Sequence, residues 1–157
     1  MKDKRACIFY FLMTIILLDF GNQIRKLSYS PYLTNADNPF FSINHINNSG
    51  SAFSLFQNQS AILAIFGILA VLFIAYQVIK KITFNDKLQL LSMTIFSAGA
   101  LGNVIERIQF KYVIDYIKLN FINFPIFNAF NIMICVGIFL YCIYLFLDFK
   151  KAKNEQN

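Results

Sequence analysis

Gly102-Asn103-Val104-Ile105-Glu106-Arg107 closes an apolar run that begins at Leu88, and Pro125-Ile126-Phe127-Asn128-Ala129-Phe130-Asn131 opens another that continues to Phe149. Val113-Ile114-Asp115-Tyr116-Ile117 lies between them. Each run approaches or exceeds the roughly 20 residues a helix needs to cross a bilayer. Their polar residues gather at the facing ends. The pair therefore reads as two membrane spans whose amide and ionisable groups meet at one boundary. Such groups are costly enough in that position that function is the default reading of them.

The rest of the chain agrees with this reading. Hydrophobic residues make up 57% of the 157 and charged residues 14%, too apolar for an ordinary soluble domain, and there is room for one domain. Four spans are expected, at about residues 6–20, 61–79, 88–105 and 126–149. Together they form a single integral membrane domain over residues 1–149, followed by a cytoplasmic tail at 150–157 that should fray. The first run lacks a small-residue cleavage site before Asp19, so it is expected to be retained as a helix and not removed as a signal peptide. The net charge of +6 is gathered at segment ends. It therefore points to topology and to anionic lipid headgroups, and not to nucleic acid.

Lys2, Lys4, Arg5, Lys80, Lys81, Lys87, Lys150, Lys151 and Lys153 fall on one side of the membrane, against Arg25, Lys26, Arg107, Lys111 and Lys118 on the other. That bias predicts cytoplasmic termini. The segment 21–60 would then face outside. Phe40 to Ile46 within it alternates as a short strand would, and Ser51 to Phe56 reads as an amphipathic turn at the interface. The expected fold is mainly α, a four-transmembrane-helix bundle with a small extracytoplasmic β element and an interfacial helix. Cys7, Cys135 and Cys142 all lie in apolar segments and read as small core residues, with no metal spacing around them. Tyr112, Tyr116 and Tyr144 are expected at headgroup depth, and His45 at a surface or interface.

Four short patterns, in order, give the chain a resemblance. Asn48-Ser49-Gly50-Ser51-Ala52-Phe53, Gly102-Asn103-Val104-Ile105-Glu106-Arg107, Val113-Ile114-Asp115-Tyr116-Ile117 and Phe127-Asn128-Ala129-Phe130-Asn131 resemble the lipoprotein signal peptidases, or signal peptidase II. The likeness extends from about Asp19 to Gly137. It implies an aspartic endopeptidase of a bacterial inner membrane that removes the signal peptide of a diacylglyceryl-modified prolipoprotein at the outer face. The implied partners are that signal peptide and membrane lipids, the implied state a monomer, and neither metal nor cofactor is implied. Asp115 matches one catalytic aspartate and Asn131 the position of the other. Asn48, Gly50, Asn103, Arg107 and Asn128 match positions that hold substrate or line the site.

The departures matter as much as the matches. Asn131 cannot change charge or carry a proton, and losing general acid–base participation typically costs on the order of 10² to 10⁴ in rate. A catalytically impaired member that still binds signal peptides is therefore the alternative function. Glu106 stands where the family has Asp, and Phe130 where it has Ala. In the first span Asp19 is kept, Gln23 replaces a Lys, and Lys26 is a nearby stand-in. Among the eight acids, Glu106 is the candidate to substitute for the missing carboxylate, since the others fall on the cytoplasmic side, in the 37 loop or on another helix.

Plainer readings stand beside these. Asp115 would be a loop acid pairing with Arg107 or Lys111, Glu106 an ion-pair or helix-end residue, and Asn48, Asn103 and Asn128 caps and turns. Gly50 would serve a turn. A small channel or transporter subunit is the third functional class.

Overall fold

Asp3 begins the first helix by accepting the backbone N–H groups of Arg5 at 2.9 Å and Ala6 at 3.4 Å. This cap satisfies donors that a helix start leaves open. A computed structural model describes residues 3–34, 38–50, 56–83 and 86–154. The elements are α1 (Lys4–Ser28), α2 (Pro31–Thr34), β1 (Phe41–Asn48), α3 (Ser60–Lys80), α4 (Lys87–Phe110), β2 (Val113–Leu119) and α5 (Ala129–Asn154). Four of the helices are long and apolar enough to cross a membrane. Four crossings return the chain to the side from which it started, with the sheet at the opposite end.

The helices are longer than the expected spans. α1 does not stop near Phe20 but runs to Ser28, whose hydroxyl donates to the Arg25 carbonyl at 2.7 Å, so Asp19 lies within the helix. α5 begins at Ala129, after an extended stretch that follows Pro125, and continues through Asn154 into the expected tail.

α4 is the central element, packed against α1, α3 and α5. Its sequence explains this position, because Ser92, Ser97, Ala98, Gly99, Ala100 and Gly102 are all buried. Small side chains let helices approach closely where lipid offers no hydrophobic drive between them. Tyr10 of α1 donates to Ser97 at 2.9 Å across one such contact. The tightest packing surrounds Phe130. Its ring lies against Gly21 of α1 and Gly102 of α4, and a Cβ at either glycine would overlap it.

β1 and β2 form an antiparallel pair with Phe41 opposite Leu119, Ile43 opposite Ile117, Ile46 opposite Asp115 and Asn48 opposite Val113. An irregularity between Ile43 and Ile46 gives β1 one extra residue there. Phe127 adds a bridge to Ile117. Asp115 thus stands on a strand and not in a loop, because Val113, Tyr116 and Ile117 suit a half-buried pleated surface. β1 is displaced from the expected 40–46. The turn expected at Ser51 to Phe56 falls largely on residues 51–55, outside the described residues.

One further expectation changes. Cys7 is buried, but Cys135 and Cys142 of α5 are exposed and are not core residues. Tyr116 is buried, and its hydroxyl accepts the Ala129 N–H at 3.2 Å, so it anchors the start of α5.

Candidate functional site

Asn128 precedes the first residue of α5, where a helix leaves backbone donors unpaired. Its Oδ1 accepts the N–H of Asn131 at 2.8 Å, and its carbonyl accepts from Ile132 at 3.2 Å. This is an N-cap, as its plainer reading expects. The capping side chain does more, however. Its Nδ2 donates to Asn103 Oδ1 at 3.2 Å and to the Ile114 carbonyl at 3.3 Å, tying α5 to α4 and β2.

The cap sets the direction of Asn131 in the first turn of α5. Asn131 Oδ1 accepts from Asn103 Nδ2 at 2.7 Å, and Asn131 Nδ2 donates to Asp115 Oδ1 at 3.2 Å. On the other side Asn48 Nδ2 donates to Asp115 Oδ2 at 2.9 Å, while Asn48 Oδ1 accepts the Gly50 N–H at 3.0 Å in a tight turn. Asp115 therefore sits between two amides, each fixed at its other end.

Asp115 is 1% exposed. Burial raises its pKa to about 6, against the lowering effect of the Asn48 bond, with the Glu106 charge pushing further up and Arg107 and Asn131 pulling down. At neutral pH it is mostly ionised, and it is poised to take up a proton.

Arg107 reaches the same turn. It donates to the Gly50 carbonyl at 2.9 Å and the Asn103 carbonyl at 3.4 Å, rather than bridging to Asp115, and its Nε is buried without a partner among the described residues. The structure thus brings together Asn48, Gly50, Asn103, Arg107, Asp115, Asn128 and Asn131 from separate stretches of chain.

Glu106 faces elsewhere. Its Oε1 pairs with Arg25 Nη1 at 3.1 Å, and its Oε2 accepts the Ile114 N–H at 2.8 Å. Both oxygens are engaged, neither with Asp115. Nothing in the sequence singles out Arg25, and Lys26 is the stand-in cation expected from the first-span pattern. Lys26 is exposed, whereas Arg25 turns inward. Asp19 is exposed and accepts from Gln23 at 3.4 Å, away from this group. His45 lies beside α1 with its ring stacked on Tyr29, and its Nε2 is 2.8 Å from Ser28 Oγ. Because that hydroxyl donates to Arg25, the imidazole Nε2 is the donor in the pair. Burial lowers the His45 pKa, so the ring is neutral at pH 7.

In chemical terms the site offers one buried carboxylate of raised pKa, an amide donor against it, and a guanidinium nearby. The chain as a whole is similar to known proteins. The family model described as "Signal peptidase (SPase) II" matches residues 11–147. A lipoprotein signal peptidase of Enterococcus faecalis is 30% identical over 98% of this chain and 97% of its own length. One from Bartonella henselae is 38% identical over 74% of this chain and 73% of its own. Among solved structures, a bacterial membrane enzyme determined by the in meso method at 2.3 Å resolution superposes with a TM-score of 0.79 at 24% identity, covering 90% of both chains. A second, at 1.9 Å resolution, gives 0.73 at 24% identity over 87% of this chain and 91% of that one.

Proposed function

The chain belongs to the signal peptidase II family, a multi-pass bacterial membrane peptidase family, and from that premise we propose that it binds diacylglyceryl-modified prolipoproteins at the outer face and cleaves them slowly. The observation that supports this reading is the Asn131 amide, held by Asn103 and donating to Asp115. An aspartic dyad works because two close carboxylates share one proton, so that one is base and the other donor. Here the donor is permanent. Asn131 occupies that place with an N–H that cannot leave.

Half of the chemistry survives such a replacement. Asp115, ionised, draws a proton from water as the oxygen attacks the scissile carbonyl carbon. The second N–H of Asn131 then hydrogen-bonds the developing oxyanion, which stays charged because no proton is delivered to it. Asp115 passes its proton to the leaving nitrogen as the C–N bond breaks, and is ionised again. Asn48 and Asn131 hold the carboxylate throughout, and Arg107 fixes the Gly50 turn beside it. Glu106 does not replace the missing acid in this scheme, since both its oxygens are engaged by Arg25 and Ile114. Topology with both termini cytoplasmic, as the positive residues predict, puts the group at the outer face. Its gathering at one end of the bundle also counts against a channel.

The test is cleavage of a diacylglyceryl-modified prolipoprotein by the purified chain in lipid, alongside Asn131→Asp and Asp115→Asn. Slow cleavage that rises with Asn131→Asp and vanishes with Asp115→Asn is expected. Equal cleavage by the unaltered chain and Asn131→Asp would overturn the reading, as would cleavage by Asp115→Asn. Binding with no turnover in the unaltered chain would make it a binding protein and not a slow peptidase.

A further inference from the structure

Ile114, immediately before Asp115, has its N–H and its carbonyl both directed away from β1. The carbonyl is held by Asn128, and the N–H by Glu106 Oε2 at 2.8 Å. Further along the same edge, Tyr116 and Ile117 both donate to the Phe127 carbonyl, at 3.0 and 2.8 Å. A carboxylate from α4 therefore does for Ile114 what a neighbouring strand would do elsewhere. An acid side chain only 3% exposed needs a reason to stay charged and in place, and Arg25 supplies it at 3.1 Å from α1. Ser28, three residues on in α1, holds His45 of β1, so the same helix end also grips the partner strand.

We propose that Arg25 and Glu106 are positioning residues for Asp115: the guanidinium orients the Glu106 carboxylate, and the carboxylate fixes the Ile114 amide so that Asp115 lies between Asn48 and Asn131. The inference rests on Asp115 being the working carboxylate. It assigns Glu106 a role as acceptor, in which its charge serves Arg25 and its second oxygen serves the strand. A misplacement of about 1 Å at a reacting group is enough to cost roughly 10²-fold in rate.

The two functions of Glu106 separate in a charge swap. Arg25→Glu combined with Glu106→Arg restores the ion pair between α1 and α4, but an arginine at 106 has no acceptor for the Ile114 N–H. Glu106→Gln keeps an acceptor and loses the charge. Measured in lipid, each charge-reversing single variant should lower the unfolding midpoint, and the double variant should recover it. In the double variant the Ile114 amide should still exchange fast with solvent, and kcat for prolipoprotein cleavage should stay about 10²-fold down with KM little changed. Glu106→Gln should keep Ile114 protected and most of kcat. Recovery of kcat with the midpoint in the double variant would reduce the pair to a clasp between helices and overturn the proposal. So would protection of Ile114 in the double variant, or a kcat for Glu106→Gln as low as that of the double. If the unaltered chain and Asn131→Asp both fail to cleave, the reading of Asp115 is at fault, and the exchange of Ile114 still decides whether the strut exists.

Discussion

Replacing Asn131 by Asp rebuilds a pair of carboxylates whose separation can be taken from the present amide. Asn131 Nδ2 lies 3.2 Å from Asp115 Oδ1, and Asn131 Oδ1 remains bonded to Asn103 at 2.7 Å. In the variant one oxygen keeps the Asn103 bond and the other faces Asp115 at the same spacing. Two unit charges at that distance repel by about 5 kcal/mol at an effective dielectric constant of about 20, or roughly four pKa units. The pair should therefore hold one shared proton across neutral pH and carry the single negative charge that Asp115 carries now. The packing around it has no new charge to accommodate, so folding should be little affected.

The gain is proton delivery to the oxyanion, expected to raise kcat about 10² to 10⁴-fold. The pH profile should change shape as well. In the unaltered chain kcat/KM should rise through a single ionisation near the Asp115 value of about 6 and then level off. Asn131→Asp should give a bell, since its second ionisation removes the shared proton. The assay is steady-state cleavage of a diacylglyceryl-modified prolipoprotein in lipid from acid through alkaline pH. An increase of less than about tenfold, with binding retained and the variant folded, would refute the claim that a transferable proton is what residue 131 lacks.

Three further outcomes follow from the same geometry. Because the folded-state pKa of Asp115 is raised above its unfolded value, folding is favoured while the group is protonated; that contribution is complete below about pH 4 and lost as pH rises through about 6, so Asp115→Asn should flatten the fall in unfolding midpoint across that window. An unchanged slope would show that Asp115 titrates normally in the folded chain. Gly21→Ala should destabilise by about 1 to 3 kcal/mol through overlap with the Phe130 ring, and Phe130→Ala in the same chain should recover part of that loss; additive losses in thermal unfolding would show that the two do not share space. Asn128→Ala should lose about 1 kcal/mol from the cap and lower prolipoprotein affinity by freeing Asn103 and Asn131 to turn; thermal unfolding together with binding by fluorescence anisotropy would show this, and an unchanged affinity would confine Asn128 to capping.

The four long apolar helices are largely legible along the chain, because about twenty apolar residues in a row fit a bilayer-crossing helix and little else. Polar residues at the ends of spans are harder to place. Gly21 to Ser28 reads as the start of an outer segment, yet it continues α1 because Arg25 finds Glu106 and Ser28 finds a backbone carbonyl, contacts separated by sequence or too local to change hydropathy. β2 is obscured for a related reason: its partner β1 lies far earlier in the chain, and a seven-residue alternation next to a helix end is a weak signal without that partner. The amides of the site are legible through their spacing in motifs. Their mutual hydrogen bonding is not, and Arg25 belongs to no motif at all. Charge and proximity favour Lys26, and the helical phase of α1 decides against it, turning position 26 outward and 25 inward.

The socket around Phe130 bears on how this chain can drift. Its ring fits only while positions 21 and 102, on two other helices, bear no side chain. A side chain added at 21 while the ring is present overlaps it, and loss of the ring first leaves a void among three helices. Either order of substitution therefore carries its own cost, and positions far apart in the chain are energetically coupled. Position 131 is under no such restriction, since an aspartate there needs no partner to change beforehand. The ring at 130 is tied to positions on two other helices, while residue 131 can change on its own.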